Sequence, residues 1–176
     1  MVRLDVGCGG GFFEDTIHRG NINIDILKPK QKISNFIQCD AHNLPFRNNI
    51  FNKIFIVDVL EHLENPTKCL KELNRVSTKG KIILGTPNGL WLPKIIRCFT
   101  KGKYEVYFDH ISTWGIAELS QLFLRSGLKK FTITSTTYKE DRKRKQLNPL
   151  IKAILKYCPE WIKGRQLVAI IQTEHK

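Results

Sequence analysis

Residues 3–13 of this 176-residue chain read RLDVGCGGGFF. A short apolar run leads into four glycines, Gly7, Gly9, Gly10 and Gly11. An apolar segment bounded by turn residues is the pattern of a buried strand. Glycines behind it adopt positive φ cheaply and let a ligand approach bare backbone. In an open α/β sheet, ligands bind beyond the carboxyl ends of the strands, so this loop is the first candidate site. Its spacing excludes two phosphate loops. The dinucleotide fingerprint G-x-G-x-x-G/A needs Gly or Ala at position 12 or 14, where Phe12 and Glu14 stand. A P-loop needs Gly-Lys-Ser/Thr, and no lysine is near. What fits is acid-x-G-x-G-x-G, as Asp5, Gly7, Gly9 and Gly11.

Outward from this loop, strand and helix patterns alternate. Residues 11–20 predict a short helix that carries Phe12, Phe13 and Ile17 and closes at Gly20. NINIDI (21–26), ISNFIQCD (33–40) and FNKIFIVDVL (51–60) predict strands, the last entering a helix after Asp58. Residues 65–80 predict a helix capped by Asn65, with Pro66 at its first position and Gly80 past its end. KIILGTP (81–87) predicts a strand. Residues 112–127 predict a helix capped by Ser112 or Thr113 and stopped at Gly127, and 128–138 and 166–174 predict two last strands. Such alternation implies a mostly parallel sheet with helices on both faces. The last two strands lack a parallel crossover helix and are expected as an antiparallel edge pair. The length suits a single domain, 1–176.

Three acids fall at three successive strand ends. Asp5 repels phosphate and suits a cationic ligand. Asp25, 20 residues on, can accept from both hydroxyls of a ribose. Asp40 can accept from the exocyclic amine of a purine. An amine, a ribose and an adenine match this set; a pyrophosphate does not. Taken singly, Asp25 and Asp40 also suit turns, and Asp58 suits a helix cap.

The ordered motifs LDVGCGGG, NIDI, CDAHNLPF, FNKIFIVDVLEHL and GKIILGTPN resemble those of the class I S-adenosylmethionine-dependent methyltransferases. The later segment FDHISTWGIAELSQLFLRSGL resembles the ubiquinone- and sugar-type O-methyltransferase subfamily. The resemblance covers nearly the whole chain. It implies an α/β, Rossmann-like, doubly wound sheet of seven strands, mostly parallel, with the antiparallel edge pair at the C-terminus. It implies S-adenosyl-L-methionine as cofactor. Asp5, Gly7, Cys8, Gly9 and Gly11 would hold its methionine part, Asp25 and Ile26 its ribose, and Asp40 and Ala41 its adenine. Asp58 and Val59 would border the sulfonium. The family usually places one or two helices before the first strand, whereas only Met1 and Val2 precede it here. The expectation is a minimal form whose cofactor site is open on that side, or capped by the second half or another subunit.

Methyl transfer needs orientation above all, but a hydroxyl acceptor gains from a base, and histidine is the natural one near neutral pH. Of five histidines, His62 and His110 stand where the resemblance puts the acceptor, and they are the catalytic candidates. A packing role for His62 is the plainer alternative. His18 is expected to be structural and His42 to line the adenine site.

The net charge of +13 is uneven, about +3 over residues 1–90 and +10 over 91–176. It suggests an anionic partner, a lipid surface or nucleic acid, or simply a lysine-rich solvated face. Two basic amphipathic stretches, 89–103 and 147–164, are expected as insertions walling the acceptor or packing on the core. The cluster Arg142, Lys143, Arg144 and Lys145 could grip phosphates. Five spaced cysteines with no C-x-x-C pair argue against a zinc site or a disulfide framework. The expected location is cytoplasmic, with contact at a membrane surface. The acceptor is expected to be a small or lipid-like molecule methylated at O or N. Nucleic-acid or protein methylation, and a non-catalytic binding protein, are the alternatives, and a homodimer is a further expectation.

Overall fold

The architecture comes from a computed structural model that describes residues 1–9, 20–30, 32–101, 109–136 and 156–174. The strands are β1 (Arg3–Val6), β2 (Ile22–Asp25), β3 (Phe36–Gln38), β4 (Phe51–Val57), β5 (Ser77–Pro87), β6 (Lys130–Thr136) and β7 (Gln166–Gln172). The helices are α1 (Pro66–Val76), α2 (Leu92–Lys101), α3 (Ile116–Arg125) and α4 (Glu160–Lys163), with a 3-10 turn at Leu60–His62.

The seven strands form one sheet in the order β3-β2-β1-β4-β5-β7-β6. The first five pair in parallel. β7 pairs antiparallel with β5 and with β6, as expected of the C-terminal strands. Parallel strands covered on both faces become almost continuously apolar. Accordingly Leu4, Val6, Ile24, Ile54, Ile56, Ile82 and Leu84 are all buried. Helix α1 adds Cys69, Leu70, Leu73 and Val76 to this core from one face. Its start matches the expected cap: the Asn65 side chain accepts from the Lys68 N–H at 3.0 Å.

Three local expectations are corrected. The α1 helix ends at Val76, and Gly80 lies inside β5 rather than past a helix end. A Cβ on Gly80 would stand 2.1 Å from the Asn52 carbonyl oxygen. That glycine marks close strand approach beside the β4–β5 bulge. The α3 helix is capped by Gly115, not by Ser112 or Thr113. The Ile111 and Ser112 N–H groups both donate to the Glu61 carbonyl, which holds that segment against the 3-10 turn. After β4 the chain makes only that short turn instead of a helix. Asp58 has φ 51°, and the cap position, Val59, supplies no side-chain hydrogen bond.

The helix expected over 11–20 lies outside the described residues except for Gly20, as do residues 139–145 and 147–155. Of the two amphipathic stretches, the first forms α2 and the second is described only from residue 156. No helix among the described residues is long and apolar enough to cross a membrane.

Candidate functional site

The strand order reverses between β1 and β4, and the loops beyond their carboxyl ends face one another across that switch point. Gly7 and Gly9 take φ of 71° and 54°, conformations that favour glycine. The Gly7 and Cys8 N–H groups both donate to the Ile24 carbonyl, at 2.9 and 3.0 Å. The loop is therefore folded back over the end of β2. A Cβ on Gly7 would lie 2.1 Å from Val59 Cγ2, so Val59 of the β4 loop seats directly on the glycine loop. Asp5 is buried beneath, in β1. Gly11 lies outside the described residues.

Asp25 ends β2. Its Oδ2 accepts from the Gly9 N–H at 2.8 Å and its Oδ1 from the Leu27 N–H at 2.9 Å. Each bond uses one lone pair, so both oxygens keep acceptor capacity for a pair of hydroxyls. Next to it, Ile26 is 63% exposed, an apolar side chain left open at the loop. Asp40 follows β3. Its Oδ1 accepts from the His42 N–H at 2.8 Å and meets His42 Nδ1 at 2.7 Å. The His42 N–H bond, ahead of the imidazole contact, holds the Asp40 carboxyl below its ordinary value. Cys39 lies between the two acids. Burial first, and then the Asp40 and Asp25 charges, push its thiol up. Ala41 is half-buried against the core.

On the other side of the switch point, the Asp58 N–H donates to the Gly85 carbonyl. Asp58 Oδ1 accepts from Gln166 Nε2 at 2.7 Å. These bonds tie the ends of β4, β5 and β7 together. Next come His62 and His110, edge to face with ring centroids 4.7 Å apart. His62 Nδ1 lies 2.8 Å from the Asp109 carbonyl oxygen. Burial, and then the neighbouring His62, lower the His110 pKa. The two catalytic candidates, 48 positions apart, thus form a single pair.

The loop after β5 leads into α2 and is bonded to the α4 segment. Buried Asn88 donates from Nδ2 to the Trp161 and Gly164 carbonyls at 2.9 and 2.8 Å. Trp91 is buried, with the Arg97 and Arg165 guanidinium groups over its ring at 5.6 and 5.8 Å. Leu92, Ile95 and Ile96 are half-buried, but Phe99 is 86% exposed. The expected apolar face of α2 is therefore only partly covered.

Sequence reasoning missed Gln166 and Asn88 as parts of this region. Gln166 and Asn88 are ordinary polar residues at strand ends, and nothing local distinguishes them. Glu61, by contrast, stands in the FNKIFIVDVLEHL motif that the resemblance puts at the acceptor pocket, directly before His62.

The donors fit an S-adenosylmethionine-shaped ligand: a glycine cradle that a side chain would fill, an acid with spare acceptor capacity at β2 and a second acid at β3. Residues 4–84 match the family model described as a methyltransferase domain. An uncharacterized protein of Methanocaldococcus jannaschii is 29% identical over 144 residues, covering 78% of this chain and 69% of its own length. An S-adenosylmethionine-dependent methyltransferase of Archaeoglobus fulgidus superposes with a TM-score of 0.69 at 17% identity, over 97% of this chain and 85% of its own. Another from Thermotoga maritima gives 0.68 at 19% identity, over 98% and 81%. At such identities the likeness to the solved structures is one of fold.

Proposed function

We propose that this chain, an S-adenosylmethionine-dependent methyltransferase, methylates an oxygen or nitrogen of a small or lipid-like acceptor. The observation that carries the reading is the His62–His110 pair beside the Val59–Gly7 contact. An imidazole there can take a proton close to where the methyl group is delivered. The exposed apolar residues Leu90, Ile111 and Trp161, together with the Arg97 and Arg165 guanidinium groups over Trp91, favour an apolar acceptor with an anionic portion.

The cofactor supplies an electrophilic methyl group on a sulfonium sulfur. The protein's share is orientation. Asp5 offers a buried negative charge toward the amino group, with Gly7, Cys8 and Gly9 leaving room for the methionine portion. Asp25 accepts from the ribose hydroxyls while Ile26 covers that edge. Asp40 and Ala41 border the adenine, and Asp58 and Val59 the sulfonium. Holding donor and acceptor in line contributes up to ~7–11 kcal/mol to such a displacement.

The test is S-adenosylhomocysteine release measured with panels of hydroxyl- and amine-bearing lipids and small molecules, beside RNA, DNA and protein. Turnover confined to nucleic acid or protein would refute the acceptor class. Tight cofactor binding without turnover on any panel would favour a non-catalytic binding protein.

A further inference from the structure

Glu61 sits on the 3-10 turn and is 1% exposed. Its Oε2 accepts from the Thr86 hydroxyl of β5 at 3.0 Å. Its Oε1 is shut off from solvent and has no hydrogen-bond partner among the described residues. Polar atoms of Glu61, His62 and His110 nevertheless lie within 4.8 Å of one another. Glu61 is fully buried while both imidazoles are half-buried, so the carboxylate lies beneath a pair of rings that reach the surface.

A buried acceptor without a donor costs free energy, and the fold keeps one here. Its nearby titratable donors are the histidines that the proposed reaction would protonate. His62 Nδ1 meets the Asp109 carbonyl, an acceptor, so Nδ1 carries the proton and Nε2 keeps the lone pair. We propose that Glu61 is a positioning residue for methyl transfer, its Oε1 accepting a hydrogen bond from the imidazolium formed when the His62–His110 pair takes the acceptor's proton. This rests on the reading of that pair as the acceptor-side base.

The balance of the step is simple. The acceptor's O–H or N–H proton passes to an imidazole nitrogen. The new O–CH3 or N–CH3 bond forms as the S–CH3 bond breaks, and sulfur leaves as a neutral thioether. The sulfonium's positive charge thereby reappears as imidazolium, next to the carboxylate. A contact made only as that charge develops lowers the barrier rather than tightening ground-state binding.

The surroundings agree. The Glu61 carboxyl is raised to about 7, by burial first; its own backbone N–H opposes the rise, Asp58 at the end of β4 adds to it, and Thr86 and His62 oppose it. From the segment before α3 come His110 and Asp109, and Lys94 of α2 acts on His110.

The experiment is an NMR titration of the His62 and His110 rings, with a chelator present, in the wild-type chain and in Glu61→Gln. S-adenosylhomocysteine affinity by calorimetry is the control. Loss of the carboxylate should lower the protonation constant of at least one ring threefold to tenfold and leave the affinity within twofold. Unchanged titration of both rings overturns the assignment. If Glu61→Gln does not fold, His62→Gln provides the reciprocal measurement on the 13C-labelled Glu61 carboxyl. Its protonation constant should rise threefold or more, and a constant that stays or falls overturns the proposal. Failure of the wild-type chain to bind S-adenosylhomocysteine would sink the cofactor reading itself. Flat titrations with intact binding would sink Glu61 alone.

Discussion

Replacing Gly7 by alanine tests whether the glycine loop and the β4 loop form one seat. Two costs add. Gly7 has φ 71°, where a non-glycine residue costs about 1–2 kcal/mol. The new Cβ would also stand 2.1 Å from Val59 Cγ2, far inside the ~3.5–4.0 Å optimum for carbon pairs. Relieving such overpacking costs typically about 1–3 kcal/mol. Together Gly7→Ala should destabilise the chain by about 2–5 kcal/mol. At ~2–4 °C per kcal/mol for a chain of this size, the Tm should fall by roughly 4–20 °C. Val59→Ala removes the clashing methyl groups, so the double variant should recover the overpacking share but not the φ share. The assay is a double-mutant cycle by thermal and urea unfolding. The coupling should be about 1–3 kcal/mol in the recovering direction. S-adenosylhomocysteine affinity should follow the same pattern, because the displaced loop also carries the Gly9 N–H that binds Asp25. Strictly additive effects, or a Gly7→Ala chain as stable as wild type, would refute the shared seat.

Asp25→Ala should weaken S-adenosylhomocysteine binding by about 10²-fold or more, since two hydroxyl bonds to a charged group are worth ~1.5–3 kcal/mol each; calorimetry showing wild-type affinity would remove Asp25 from the site. Glu61 binds its proton more tightly in the folded chain, at about 7 against 4.5 unfolded. Its contribution is therefore fully present below pH 4.5 and is lost as pH rises toward 7. Relative to Glu61→Gln, the wild-type chain should lose roughly 2–3 kcal/mol across that window, and parallel stability curves would contradict the burial argument. Gly80→Ala should cost about 2 kcal/mol or more, because the obstructing atom is backbone and cannot rotate away. Had Gly80 merely followed a helix, urea unfolding would show almost no change.

The strand ends and glycine loop of the candidate cofactor site were readable because their signals are local. The apolar run before Gly7 makes a buried strand wherever it lies in the sheet, and glycines at 7 and 9 permit positive φ in any context. Asp25 and Asp40 follow apolar strands, and the parallel arrangement puts all such ends on one side. The Gly80 and Gly115 errors have a common origin: both glycines are placed by a neighbouring backbone. Asn52 approaches Gly80, and the Glu61 carbonyl holds the segment leading to Gly115.

From sequence alone came the alternation of elements, the mostly parallel sheet and the acids at the strand ends, all of which follow from periodicity and turn chemistry within a few residues. Only the tertiary structure decided which loops meet. The reversal between β1 and β4 brings Val59 onto Gly7, and the antiparallel return of β7 brings Gln166 to Asp58 across 108 positions. The segment before α3, held on the Glu61 carbonyl, brings His110 to His62 over the buried Glu61 carboxylate. Strand order is settled by how apolar faces pack over the whole sheet, so the cluster of Glu61, His62 and His110 appears only once those strands are side by side.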